Sequence, residues 1–159
     1  MSPWLREVAE LVHAKRRDDA IALVRSRAEE GDLAAKVRLA VFGVEAGIQP
    51  QEADLIVDHA EAAIQAADAD AHWVLHNAYE LRIGNCEYDE KARRALSHLE
   101  SYAELTENPL AAYAVAVRYG QGDIGTQANR GKSHAWMCRA AELGNPLATQ
   151  YLARNRSDA

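Results

Sequence analysis

Two histidines four residues apart, His72 and His76, are the residues of this sequence best spaced for chemistry. On a helix that spacing puts both rings on one face, where they can chelate zinc, nickel or copper if a third ligand arrives from elsewhere. A third ligand is not evident; His98, on the next predicted helix, is the one histidine with a chance to come near. The competing reading is that all three rings are solvated or hydrogen-bonded structural groups. His13, His59 and His134 stand alone. No nucleophile is accompanied at motif spacing by a base and an orienting acid, so acyl transfer and hydrolysis find no support. Gly120-x-Gly122-x-x-Gly125 matches the dinucleotide fingerprint by letters. That fingerprint needs a strand before it and a helix directly after it. Here a helical pattern precedes it, and the glycines read as an interhelical turn. No cofactor and no catalytic residue is assigned.

A second constellation is a surface. On the predicted helix 71–83, His72, Leu75, His76, Tyr79, Arg82 and Ile83 form a stripe away from the face made by Val74, Ala78 and Leu81. Tyrosine and arginine are enriched at binding hot spots, whereas the bland alternative has the stripe covering a neighbouring helix. The equivalent positions on the flanking helices are Val41 and Glu45 before it and Val117 and Gln121 after it. Whether Val41 and Val117 face groove or core is open, because both helices are apolar on more than one side.

The elements that must hold these residues are helices throughout. Asn108-Pro109-Leu110-Ala111 returns as Asn145-Pro146-Leu147-Ala148, the kind of spaced identity that stacked helical pairs leave in a sequence. Proline fits the first turn of a helix, Asn129 is a plausible N-cap, and Gly144 suits the left-handed position that closes one. The pattern predicts an all-α solenoid of antiparallel helix pairs, an alpha-alpha superhelix. One domain covers 1–159, with pairs at about 3–31, 33–67, 71–107 and 108–144 and a terminal helix at 146–154. The helix 33–46 is apolar almost all round and is expected to be covered on two sides. The helix 52–67 is expected to turn Ala53, Ile56, Ala60, Ala63 and Ile64 inward.

Composition narrows the partners. Hydrophobic residues make up 48% of the chain but aromatics only 6%. Much of the excess is alanine, which favours closely packed helices over a sheet. No apolar run approaches the ~18 residues that signal a membrane span, and Met1 to Glu7 lacks the basic start of a secretion signal. A cytoplasmic protein is expected. The formal charge is −6 with the basic residues scattered among carboxylates, which disfavours nucleic acid as a partner. Cys86 and Cys138 fall at non-equivalent places in their repeats, so two free thiols in a reducing compartment are expected.

One unit carries a family pattern. Tyr113-x-Val115-Ala116-x-x-Tyr119-x-x-Gly122, followed by Lys132-x-x-x-Trp136-x-x-Arg139-Ala140-Ala141-Glu142-x-Gly144, resembles the Sel-one-like repeat, a relative of the tetratricopeptide repeat. Val115-Ala116 stands where a Leu-Gly pair is usual, and Ser133 where alanine is usual. The likeness is closest over this unit, looser over 19–44 and loosest over 71–107. It implies a non-catalytic adaptor or scaffold that binds a protein or peptide on the concave surface lined by first helices, at His72, His76, Tyr79, Arg82, Ile83, Val41, Glu45, Val117 and Gln121. A more specific version is a bacterial cytoplasmic immunity protein sequestering a basic toxin or effector, with acidic charge steering the encounter. A metal-dependent protein using His72 and His76 is the alternative from another class. Self-association through the terminal helix is the remaining one.

Overall fold

In the computed structural model, residues 1–122 and 128–156 are described, and among them nine α-helices and one 3-10 segment account for all regular structure. They are α1 (Pro3–His13), α2 (Arg17–Glu29), α3 (Leu33–Phe42), α4 (Pro50–Ala63), α5 (Ala69–Glu80), α6 (Tyr88–Thr106), α7 (Pro109–Gln121), α8 (Arg130–Glu142) and α9 (Pro146–Arg156), with the 3-10 segment at Gly43–Ala46. None of the described helices is long and apolar enough to cross a membrane.

The first helix of each pair from α3 onward, and the terminal α9, start in a shared capping register. Asp32, Asp68, Asn108 and Asn145 each accept a hydrogen bond on the side chain from the amide three residues on, at 2.9–3.1 Å. This satisfies one of the amides that a helix start leaves orphaned. The residue at that third position is alanine every time: Ala35, Ala71, Ala111 and Ala148, all buried. A larger side chain there would hold the next helix away. The Asn-Pro-Leu-Ala repeat is therefore a cap, a helix-starting proline, an outward leucine and a close-packing alanine.

Alanine sets the packing distance elsewhere too. Between α7 and α8, Ala112, Ala116 and Ala140 are fully buried beside Met137, and Ser133 donates from Oγ to the Ala116 carbonyl at 2.8 Å. Gly122 turns the chain after α7 with φ +66°, and a Cβ there would lie 2.7 Å from the Ala128 amide nitrogen. Glycine is needed at that turn on both counts. Gly125 of the fingerprint lies outside the described residues.

Pairs α5–α6 and α7–α8 pack most closely, and α3–α4 much less so. The largest apolar cluster runs from α1 through α5 and takes in Ala95 of α6. Two smaller ones join α6 to α7 and α7 to α8 and α9. Fully burying side chains such as Leu75, Val37 and Val115 contributes about 1.5–3 kcal/mol each.

Three local expectations are corrected. The helix 33–46 divides at Gly43, whose φ of 57° and ψ of −128° leave the helical region, and the segment beyond it leaves Val44 69% exposed instead of covered. The helix 52–67 stops at Ala63 because Ile64 is extended and packs against the core, so the chain can reach the Asp68 cap of α5. On α4 the inward residues are Ala53, Val57 and Ala60, with Ile56 partly buried against the same core as expected and Ala63 exposed.

Candidate functional site

Helix α5 lies among α3, α4 and α6, and this position decides the fate of its histidines. His72 and His76 are 7% and 8% exposed, and His98 on α6 is 5% exposed. His72 and His98 meet Nδ1 to Nδ1 at 2.8 Å, while His76 turns its Nδ1 to the Ala95 carbonyl at 2.8 Å. The two α5 rings thus do not converge. No group of three possible ligands gathers around a metal position among the described residues. His98, on α6, reaches only one of them.

Hydrogen-bond logic sets the protons. A carboxylate only accepts, so His98 donates from Nε2 to Glu61 Oε2 at 2.7 Å. Burial pushes Glu61 up, but the bonds from His98 and Tyr79 and the charge of Arg94 outweigh it and leave the carboxyl below its usual range. One proton serves the Nδ1–Nδ1 contact: His72 supplies it where His98 is neutral, and His98 supplies it where His98 is the imidazolium paired with Glu61. The His72 Nε2 is sealed without a hydrogen bond. Burial, then the charge His98 can carry, lowers the basicity of His72; the Ala66 carbonyl opposes this but does not meet hydrogen-bond geometry. His76 is likewise lowered, first by burial, and its bond to a carbonyl fixes the proton on Nδ1.

Tyr79 is corrected from groove to core. Its side chain is fully buried, its hydroxyl donates to Glu61 Oε2 at 3.1 Å and accepts from Arg94 Nη1 at 3.2 Å, and its ring stacks on His98 with centroids 5.8 Å apart. Burial pushes the phenol well above its ordinary range. Gly84 backs the ring so closely that a Cβ would stand 3.1 Å from it, and the Gly84 amide donates to Asp54 at 2.6 Å. Asn85 donates twice to Asp58. Asp54, Asp58 and Glu61 share one face of α4, so this helix is fastened to its neighbours by a seam of carboxylates. The spacing of these acids was readable in the sequence but resembles a solvated face.

The other proposed contact residues are scattered. Leu81, expected on the apolar core face, is 59% exposed just past the end of α5. Arg82 follows with φ 68°, places its guanidinium 3.8 Å from the Tyr88 ring centre, and donates to the Tyr88 hydroxyl. Val41, Arg82 and Ile83 come together, with Ile48, Leu81 and others, around an open cavity of about 450 Å³. Glu45 is exposed and paired with Arg17 at 2.6 Å. Val117 is half-buried and Gln121 exposed, both on α7 and away from that cavity.

A second open cavity, of about 350 Å³, lies between the first helices α5 and α7 over α6. Trp73, His76, Leu99, Tyr102, Leu110, Ala114 and Arg118 are among its walls, together with Met1, Asn108 and Ala111. Trp73 stands between Tyr102 and His76, at centroid distances of 5.0 and 5.7 Å. Arg118 pairs with Glu80 at 2.8 Å and ties α7 to α5. Of these residues the sequence reading had only His76. Trp73 was within reach of it, since a residue three positions before His76 shares its side of a helix.

Antiparallel helix pairs whose first helices share one capping register make this chain a helical-repeat solenoid. Its fold is that of the Sel1 repeat proteins: it superimposes on one from Oxalobacter formigenes with a TM-score of 0.53 and 22% identity, over 93% of this chain. The match takes in 57% of that protein, so the chain spans little more than half its length. A Sel1-repeat structure from Klebsiella pneumoniae subsp. pneumoniae matches more loosely, with a TM-score of 0.47 and 15% identity over 92% of this chain and 88% of that one. No protein-family model matches the sequence, and no curated protein does.

Proposed function

We propose that this chain is a non-catalytic interaction module that holds a segment of another protein along the side formed by its first helices. The carrying observation is the open, aromatic-walled groove between α5 and α7. The same side shows Leu110 and Leu147, 68% and 52% exposed at the same register of successive first helices. Large apolar side chains repeated in register on one face mark a surface that is covered by something else. The hydrogen bonds of the buried histidines join helices, which supports structural roles for these three rings. With a net charge of −6, a basic partner would be drawn by steering, as the immunity-protein version requires. The unbridged Cys86 and Cys138 fit a reducing compartment such as the cytoplasm.

The test is affinity capture from the native host with wild-type protein beside Ala114→Phe, which fills the groove from α7. It is followed by a Kd for the purified candidate. A defined protein bound by wild type and at least tenfold weaker with the variant is expected. Equal binding by the two removes the groove from the proposal, and no binding by purified candidates removes the interaction reading.

A further inference from the structure

The α5/α7 groove holds a feature that an apolar slot does not need. His76 is more than nine-tenths buried, and its Nδ1–H is committed to the Ala95 carbonyl. Its Nε2 is therefore a lone-pair acceptor on a side chain that walls the cavity. Around it stand the half-buried Trp73 and the nearly buried edges of Tyr102 and Leu99, which offer aromatic and apolar contact. A buried acceptor among apolar walls favours a ligand that brings both a flat apolar body and a hydrogen-bond donor. Arg118 on the rim is paired with Glu80, so that charge is balanced locally and does not select for an anion.

We propose that this groove is a specificity pocket for an aromatic side chain carrying a hydrogen-bond donor, tyrosine or tryptophan, presented by the partner, with His76 Nε2 accepting from its O–H or N–H. This deepens the interaction reading and rests on it. The ring lies against Trp73, where an offset or edge-on aromatic contact adds to the apolar burial. The cavity of about 350 Å³ accommodates one such side chain. Phenylalanine fits the same space but leaves the buried acceptor without its donor, which is what discriminates against it.

The experiment uses the whole chain and small probes, so it does not need the partner. p-Cresol, 3-methylindole and toluene are titrated into labelled protein while the indole N–H signal of Trp73, assigned with Trp73→Phe, is followed by NMR. Saturable shifts are expected, with p-cresol and 3-methylindole binding roughly fivefold tighter than toluene, the factor for a net hydrogen bond of about 1 kcal/mol. In Ala114→Phe all three probes should stop shifting Trp73. In His76→Phe, checked for native circular dichroism, the preference over toluene should fall to about onefold while toluene still binds. Equal affinity of the three probes for wild type overturns the role of His76, and so does a preference that survives His76→Phe. Probes that fail to shift Trp73, or that bind Ala114→Phe as well as wild type, overturn the pocket. If the probes bind as expected and no protein partner does, the pocket stands and the interaction reading falls.

Discussion

Truncating Tyr79 tests whether the middle of the solenoid is built as described. The side chain has no exposed surface, packs on His98 and has its hydroxyl between Glu61 and Arg94. Tyr79→Phe keeps the ring and removes the hydroxyl. Glu61 then still accepts from His98 and Arg94 still reaches Glu90 at 2.8 Å, so neither charge is stranded. Losing one hydrogen bond to a charged group costs about 1.5–3 kcal/mol at most, and the surviving partners bring the expectation to ~1–2 kcal/mol. Tyr79→Ala also empties the space of a fully buried ring, which costs ~3–5 kcal/mol. For a domain of this size that lowers Tm by roughly 6–20 °C. The assay is urea unfolding followed by circular dichroism, with the m-value compared among variants so that a change in midpoint reports stability alone. A Tyr79→Ala cost below 1 kcal/mol would refute the core assignment and return Tyr79 to the surface. Equal costs for the two variants would show that the ring contributes nothing beyond its hydroxyl.

Other expectations follow from the same contacts. His72 and His76 are held neutral with lowered basicity, so their contribution to stability is complete above the unfolded value near 6.5 and is lost as pH falls below it toward their folded values. The urea midpoint should drop between pH 7.5 and 5.5, and a flat profile would contradict the burial of both rings. Asn108 and Asn145 cap equivalent helices, but Asn145 is 1% exposed and donates from Nδ2 to the Pro109 carbonyl at 3.1 Å, whereas Asn108 is only half-buried beside the Tyr102 hydroxyl. Asn108→Asp should therefore change the unfolding midpoint little, while Asn145→Asp buries a charge and loses a donor, at ~1–3 kcal/mol. Trp136 is only half-buried and walls an outer cavity with Glu104 and Arg139, so Trp136→Ala should cost ~1–3 kcal/mol by the same assay, short of the full value for a core ring.

The repeat was legible because it rests on local chemistry. Asn108-Pro109 and Asn145-Pro146 announce helix starts whose caps the structure shows, and Gly144 sits at its helix end with φ +92° as left-handed closure requires. The face of α5 was not legible. Periodicity separates two stripes on a helix but does not say how many neighbours it has, and α5 has enough of them to bury Val74 and Ala78 on one side and His72, Leu75 and Tyr79 on the other. The α4 seam escaped for a related reason. Asp54, Asp58 and Glu61 look like a solvated acidic face until the turn at Gly84 and Asn85 brings donors to the first two and His98 and Tyr79 bring them to the third.

The three buried histidines show where ligand chemistry can reach in this chain. His98 has both ring nitrogens engaged, one by His72 and one by Glu61. His72 keeps an unbonded Nε2, but that atom is sealed inside the α4–α5–α6 junction, where only a change in packing would expose it. His76 is anchored to α6 through Nδ1 while its side chain borders an open groove. The same residue type at i and i+4 thus serves two ends: both rings face α6 one turn apart, and His72 meets His98 in the polar junction while His76 borders the groove. Sequence spacing groups His72 with His76 as a chelating pair. The neighbours of α5 separate them, giving one to the polar junction and the other to the groove wall.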